Sequence, residues 1–158
     1  MGRFEIIKNL KKYFVIQELV GPRTYRKLKD RAWRLFSTEA LLMLLITREG
    51  IDKPFTMNNW HKGGKYSQRG YRSNLQNIVR QLTLTWTLYL SAHPLGEGFD
   101  YTVKGMHPEH VRRWIIEHEH LYPMKIRLEH LKNGKPITWV HQDSIQEEHN
   151  PEVYLFDV

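Results

Sequence analysis

The stretch Ser91-Ala92-His93-Pro94-Leu95-Gly96-Glu97-Gly98-Phe99-Asp100 sets an imidazole and a carboxylate seven residues apart, with two glycines between them. A neutral imidazole nitrogen and a carboxylate oxygen are both ligands for zinc. Gly96 and Gly98 let the backbone turn tightly between them. A catalytic zinc takes three protein ligands and keeps a fourth position for water. The third candidate is His141, in Thr138-Trp139-Val140-His141-Gln142-Asp143. Strand alternation puts Trp139, His141 and Asp143 on one face, with Val140 and Gln142 on the other. A strand holds a ligand with less freedom than a loop does. Singly, each residue has an ordinary reading: His93 a polar loop residue, Asp100 a turn residue at a strand start, His141 a hydrogen-bonded packing histidine. The combination is what points to a metal centre.

The chain has nine histidines and no cysteine, so any metal must be held by nitrogen and oxygen. His61, His107, His110, His118, His120, His130 and His149 read as non-ligands. In Glu117-His118-Glu119-His120 the histidines are two apart, which on a helix sends them to different faces.

These residues need a scaffold. The 158 residues fit one domain, 1–158, and 41% hydrophobic content supports a single core. With 26% charged and 12% aromatic residues, a disordered chain is excluded. The formal charge of +7 suits an anionic partner, whether nucleic acid, acidic membrane or cell wall. The N-terminus has no apolar h-region and no small-residue cleavage site. The longest apolar stretch, Ala40-Leu41-Leu42-Met43-Leu44-Leu45-Ile46, is too short to span a bilayer. The expectation is a protein that is cytoplasmic as synthesised, without membrane insertion.

Residues 17–49 read as helical. Within them Ser37 is an N-cap, Leu41, Leu42, Leu45 and Ile46 form a buried stripe, and Gly50 marks the C-terminus. Residues 54–60 read as a short strand and 61–73 as a long, functional-looking loop. Residues 74–90 begin with helical spacing and end in a β-branched and aromatic run without a clear period. Residues 98–103 read as a strand, and 107–120 as a helix with Pro108 at its first position. Residues 124–131 and 136–143 form a hairpin around Asn133-Gly134. Residues 151–158 offer an edge strand. Helices first and strands later argue for an α+β fold with a small antiparallel sheet and flanking helices.

The first motif resembles the S-x-H-x-x-G-x-A-x-D element of the M15 zinc peptidases, with Gly98 in place of the alanine. That group includes D-alanyl-D-alanine carboxypeptidases and phage L-alanyl-D-glutamate endolysins. Trp139-Val140-His141-Gln142-Asp143 is similar to the late W-x-H element of the family, in the H-x-D form of its phage and prophage branch. Asn58-Asn59-Trp60, Gly63-Gly64 and Gly70-Tyr71-Arg72-Ser73 resemble the stretch ahead of the first motif in that branch. The resemblance runs from about residue 15 to 143. It implies a hedgehog/DD-peptidase-like fold and a Zn2+ site of His93, Asp100 and His141. It implies a peptidase that hydrolyses amide bonds in peptidoglycan stem peptides and acts on the cell wall after release. Manganese, cobalt and nickel suit the same ligands. Ser91 is expected to hydrogen-bond and orient a ligand.

The chain departs from the pattern at the general base. Many M15 enzymes carry an acid three positions before the last histidine, where this chain has Thr138. Glu129 and Asp143 are the remaining candidates. A two-residue Asn-Gly turn would pair Glu129 with Thr138 and point it away from His141, whereas a bulge would flip it onto the ligand face. Resemblance to the prophage branch, where an R-x-E run precedes W-x-H, favours Glu129. Arg72 best matches the family's arginine for the oxyanion or substrate carboxylate, with Arg69 as the alternative. Three readings compete. The first is a monomeric zinc peptidase with a peptidoglycan peptide substrate. The second is a non-catalytic, zinc-stabilised binding protein. The third, a nucleic-acid binder, is suggested by charge alone and has no stacking or recognition-helix signature. The expected partners therefore include no nucleic acid.

Overall fold

The computed structural model describes residues 1–146 and 151–158, so His149 lies outside the described residues. The chain opens with α1 (Arg3–Leu10), α2 (Ile16–Leu19) and α3 (Pro22–Leu28), then a 3-10 segment, Lys29–Leu35, and α4 (Thr38–Ile51). The expected helix over 17–49 is therefore broken. Val20 is extended, Pro22 takes the first position of α3, and Lys29 ends α3 with φ of 50°. Ser37 caps α4 by accepting from the Ala40 amide at 3.0 Å. The helix runs through Gly50 and ends at Asp52, which is left-handed. Gly50 is a packing residue: its missing side chain makes room for the Trp114 indole.

The sheet comprises β1 (Phe55–Thr56), β2 (Gly98–Val103), β3 (Ile126–Lys132), β4 (Lys135–Asp143) and β5 (Val153–Asp157), in the order β1-β2-β4-β3-β5. β1 is two residues long, shorter than the strand expected over 54–60. The β1–β2, β2–β4 and β3–β4 pairs are antiparallel. β5 is the expected edge strand, but it runs parallel to β3. The sheet is thus mixed rather than antiparallel, and the α+β class stands. α5 (Asn77–Leu84) and α6 (Ala92–Leu95) lie between β1 and β2. α7 (Pro108–Glu117) follows β2, with Pro108 in its first turn and His107 as its cap.

One face of the sheet packs on α4. Leu41, Leu44, Phe99, Leu128 and Val140 are fully buried. Phe36 stacks on Phe99 with ring centroids 5.2 Å apart, and Phe55 stacks on Tyr101 at 4.5 Å. Burial of this kind supplies most of the folding free energy. The opposite face of the central strands carries the polar residues of the site.

The hairpin turn is as expected: Asn133 and Gly134 both have positive φ, 51° and 73°, as a two-residue type I′ turn demands. Beyond the turn the register slips. Leu131 pairs with Pro136, and the next facing pair is Glu129 with His141. One residue separates these pairs on β3, and residues 137–140 separate them on β4. Such a bulge leaves carbonyls without ladder partners. The buried Arg112 of α7 donates to the Trp139 carbonyl at 3.0 Å and to the Ile137 carbonyl at 3.4 Å. A buried guanidinium thus takes the place of the missing ladder bonds.

Candidate metal centre

Four strands lay out the site in rows. Asp100 on β2 faces His141 on β4, which faces Glu129 on β3, which faces Phe156 on β5. One step along, Gly98, Asp143 and Arg127 form a second row. Paired residues share a face, so both rows point into one cleft. A side chain at position 98 would run into Ala92 at the head of α6, which explains a glycine there.

His93 comes from α6, not from a loop. Ser91 caps this short helix, its hydroxyl accepting from the His93 amide at 3.5 Å. Ser91 thus bonds the candidate ligand His93 through its backbone amide, at the start of the helix that carries it. Gly96 ends α6 with φ of 73°, and its Cα sits against the Leu35 carbonyl, where no side chain fits. His93 Nδ1 lies 2.8 Å from the Gly70 carbonyl. A carbonyl only accepts, so Nδ1 carries the proton and Nε2 is left to face Asp100 Oδ2 at 3.2 Å. Burial holds the His93 pKa below its ordinary value despite the nearby Asp100.

The segment ahead of the site positions these groups. Asn58 Oδ1 accepts from the Arg69 amide at 2.8 Å, and Asn59 Oδ1 accepts from the Tyr66 amide at 2.9 Å. Trp60 Nε1 donates to the Val20 carbonyl at 2.8 Å. Gly70 is pressed against the Leu19 backbone, leaving its carbonyl aimed at His93. The loop expected to be functional is thus the bracket that sets one imidazole.

His141 has a carboxylate at each nitrogen: Asp100 Oδ1 lies 2.8 Å from Nδ1, and Asp143 Oδ2 lies 3.0 Å from Nε2. Burial alone would lower its pKa, but hydrogen bonds to Asp100 and Asp143 outweigh burial and raise it to about 10. Burial likewise opposes charge on Asp100, and the two histidines override it, holding the carboxyl far below the usual range. Asp143 is fully buried. Its Oδ1 accepts from Arg127 Nε at 2.9 Å and from the Ile145 amide at 3.1 Å, and its Oδ2 from Arg127 Nη2 at 3.2 Å. Both of its oxygens are committed.

His93, Asp100 and His141 each offer one ligand atom, and these atoms lie within 4.8 Å of one another. The donor set fits a divalent ion of the zinc type: two imidazoles, one carboxylate, and a fixed acceptor behind each ring. Gly70 O stands behind His93 and Asp143 behind His141. A metal ion would displace the proton from His141 Nδ1 and leave Nε2–H on Asp143.

Glu129 is 8% exposed and lines the same cleft. Burial pushes its carboxyl up, with His141 opposing. Arg72 Nη2 lies 3.0 Å from Asp100 Oδ2, Nη1 donates to the Tyr89 hydroxyl at 2.6 Å, and Nε donates to the Gln68 carbonyl at 2.8 Å. Arg69 is turned elsewhere: it donates to the Thr56 carbonyl at 2.9 Å and lies 3.6 Å over the Tyr66 ring. Trp139 lines the cleft, on the face that strand alternation gives it; sequence reasoning missed Tyr89 and Phe156 as cleft walls, and Arg127 as the partner of Asp143. Arg127 was legible in Arg127-Leu128-Glu129, the R-x-E run; Tyr89 and Phe156 had no local signal.

In comparisons with protein-family models, curated proteins and solved structures, none matches this chain.

Proposed function

We propose that the chain is a zinc-dependent peptidase that hydrolyses amide bonds in peptidoglycan stem peptides, of the M15 type and of phage or prophage character. The observation that carries the reading is the buried His93–Asp100–His141 group, with Glu129 in the same strand row and Arg72 at its edge. Zinc held by His93, Asp100 and His141 would supply a Lewis acid and would lower the pKa of a bound water to about 7. Glu129 lines the cleft beside His141 with a carboxyl that burial has made more basic. It takes the proton of the attacking water and delivers it to the leaving amine nitrogen. Arg72 meets the negative charge that develops on the amide oxygen. Asp143 is the orienter of His141, because all its lone pairs in the plane of the site are engaged. With Thr138 in place of the family's acid, the acid in this reading comes from β3, across the bulge.

Digestion of purified sacculi by the zinc-loaded protein, with and without chelator, tests the reading. Chelator-sensitive fragments are expected, and their masses name the bond. Stoichiometric zinc with no fragment from several wall chemistries would replace the peptidase by the zinc-stabilised binding protein.

A further inference from the structure

The run between α5 and α6 carries an apolar surface that the proposed reaction does not use. Leu84, Trp86, Leu88 and Leu90 are 68%, 97%, 79% and 76% exposed. Leu75 and Ile78 extend the patch onto the start of α5. Monomeric proteins rarely present large aliphatic and indole side chains this close together without a partner. From Trp86 onward the apolar residues alternate with Thr87 and Tyr89, and Tyr89 turns inward to Arg72. The patch is therefore continuous with the mouth of the cleft, which Ile78 and Leu90 also line.

The charge along this stretch of the chain has one sign. Residues 53–96 contain no Asp or Glu and carry Lys53, Lys62, Lys65, Arg69, Arg72 and Arg80. Arg80 lies within α5, and Arg23 reaches the Leu75 carbonyl at 3.3 Å. Exposed leucines, a fully exposed tryptophan, flanking arginines and no acid together form the signature of a segment that lies in the interface of an anionic bilayer. The alternatives fit less well. A second copy would bring together two such basic surfaces on chains of charge +7. A glycan or nucleic-acid strand would favour stacked aromatics over leucines.

We propose that residues 75–90 dock this protein on the surface of an anionic lipid bilayer, with Leu84, Trp86 and Leu88 entering the headgroup region. No helix among the described residues is long and apolar enough to cross a membrane, and surface docking needs none. The expectation of no membrane insertion is thereby narrowed to one of no spanning segment. If the chain is a wall peptidase, docking would set its cleft against the membrane-proximal layer of the wall; the docking itself does not depend on that reading.

Flotation of the zinc-loaded protein with vesicles of phosphatidylglycerol and phosphatidylethanolamine tests the proposal, with phosphatidylcholine vesicles as the control. The protein is expected to float with the anionic vesicles, with a blue shift in tryptophan emission, and to be released at about 0.5 M salt. The triple variant Leu84→Ser/Trp86→Ser/Leu88→Ser changes exposed positions only. It is expected to keep its circular dichroism melting curve and zinc affinity and to lose vesicle affinity by at least about tenfold. Absence of flotation with every vesicle overturns the proposal. So does a triple variant that floats like the parent, which would leave charge alone. A dimer in sedimentation equilibrium that the triple variant abolishes, without vesicle binding, assigns the patch to a second copy and also overturns it. Unchanged zinc binding and sacculus digestion in the variant would separate any of these failures from failure of the peptidase reading.

Discussion

Besides Asp100, two carboxylates stand next to His141, Glu129 and Asp143, and their surroundings differ. Glu129 has a raised pKa and an open side toward the cleft. Asp143 is buried, its carboxyl held low by His141 and Arg127 against the effect of burial. Glu129→Gln is expected to leave zinc affinity unchanged and to slow hydrolysis by about 10²–10⁴-fold, the usual contribution of a general base. Stoichiometry by metal analysis and turnover of a defined stem peptide check it. Retained turnover would remove Glu129 from the mechanism. Asp143→Asn should do the opposite first. Losing the carboxylate behind His141 is expected to weaken zinc binding by about 10–100-fold, read by competition with a chelating dye. An unchanged affinity would show that the Asp143 contact does not tune the ligand.

At the scale of elements, the decisive feature is the irregular stretch of β4. A regular ladder from the Asn133-Gly134 turn would pair Glu129 with Thr138. The bulge at 137–140 shifts the register by an odd number of residues, so Glu129 changes face and meets His141. Arg112 holds the shifted strand through the Ile137 and Trp139 carbonyls, with its own side chain 1% exposed and paired to Glu109. Arg112→Leu leaves two buried carbonyls without donors and is expected to cost about 3 kcal/mol. Arg112→Lys should rescue it only in part, because an ammonium lacks the planar fork that spans two acceptors. Urea unfolding of both variants checks this, and full rescue by lysine would show that charge, not geometry, holds the bulge.

At the scale of the whole molecule, helix and sheet are tied together by a buried polar cluster directly behind the site. The Thr47 hydroxyl of α4 contacts Tyr122 Oη at 2.8 Å and Gln142 Oε1 at 3.1 Å. Tyr101 Oη donates to Gln142 Oε1 at 2.7 Å. Gln142 sits between His141 and Asp143 and points to the other face, so the cluster locks the strand that carries both. Burial raises the Tyr122 pKa from 10.0 to about 12, and raises Tyr101 as well. Below pH 10 the hydroxyls are protonated in folded and unfolded chains alike, and stability is complete. Between pH 10 and about 12 the unfolded chain releases the Tyr122 proton and the folded chain does not, so stability falls. For Tyr122 alone the loss reaches roughly 2 kcal/mol by pH 12. Urea midpoints between pH 9 and 12 should decline in this way, and Tyr122→Phe should flatten the decline. An identical slope in the variant would assign the alkaline loss to other groups.

What could be read along the chain was local. The spacing of His93 and Asp100, the His141 strand, the Ser37 cap, the Pro108 start and the Asn133-Gly134 turn depend on neighbouring residues, whose preferences are written in a short window. The α+β class followed from their order. The bulge and the parallel edge strand did not, because each depends on a partner far away in sequence, whereas the break in the first long helix is local, at Gly21-Pro22. Arg112 reaches the bulge across 25 and 27 residues, and Gly70 reaches His93 across 23. The same limit applied to chemistry. The residue types Glu129, Asp143, Arg72 and Arg69 were visible as candidates, yet their roles depend on burial and on which lone pairs are already engaged. The three residues that could hold a metal were therefore legible in the sequence, while which acid, which arginine and which imidazole nitrogen face them was decided only when distant strands came into register.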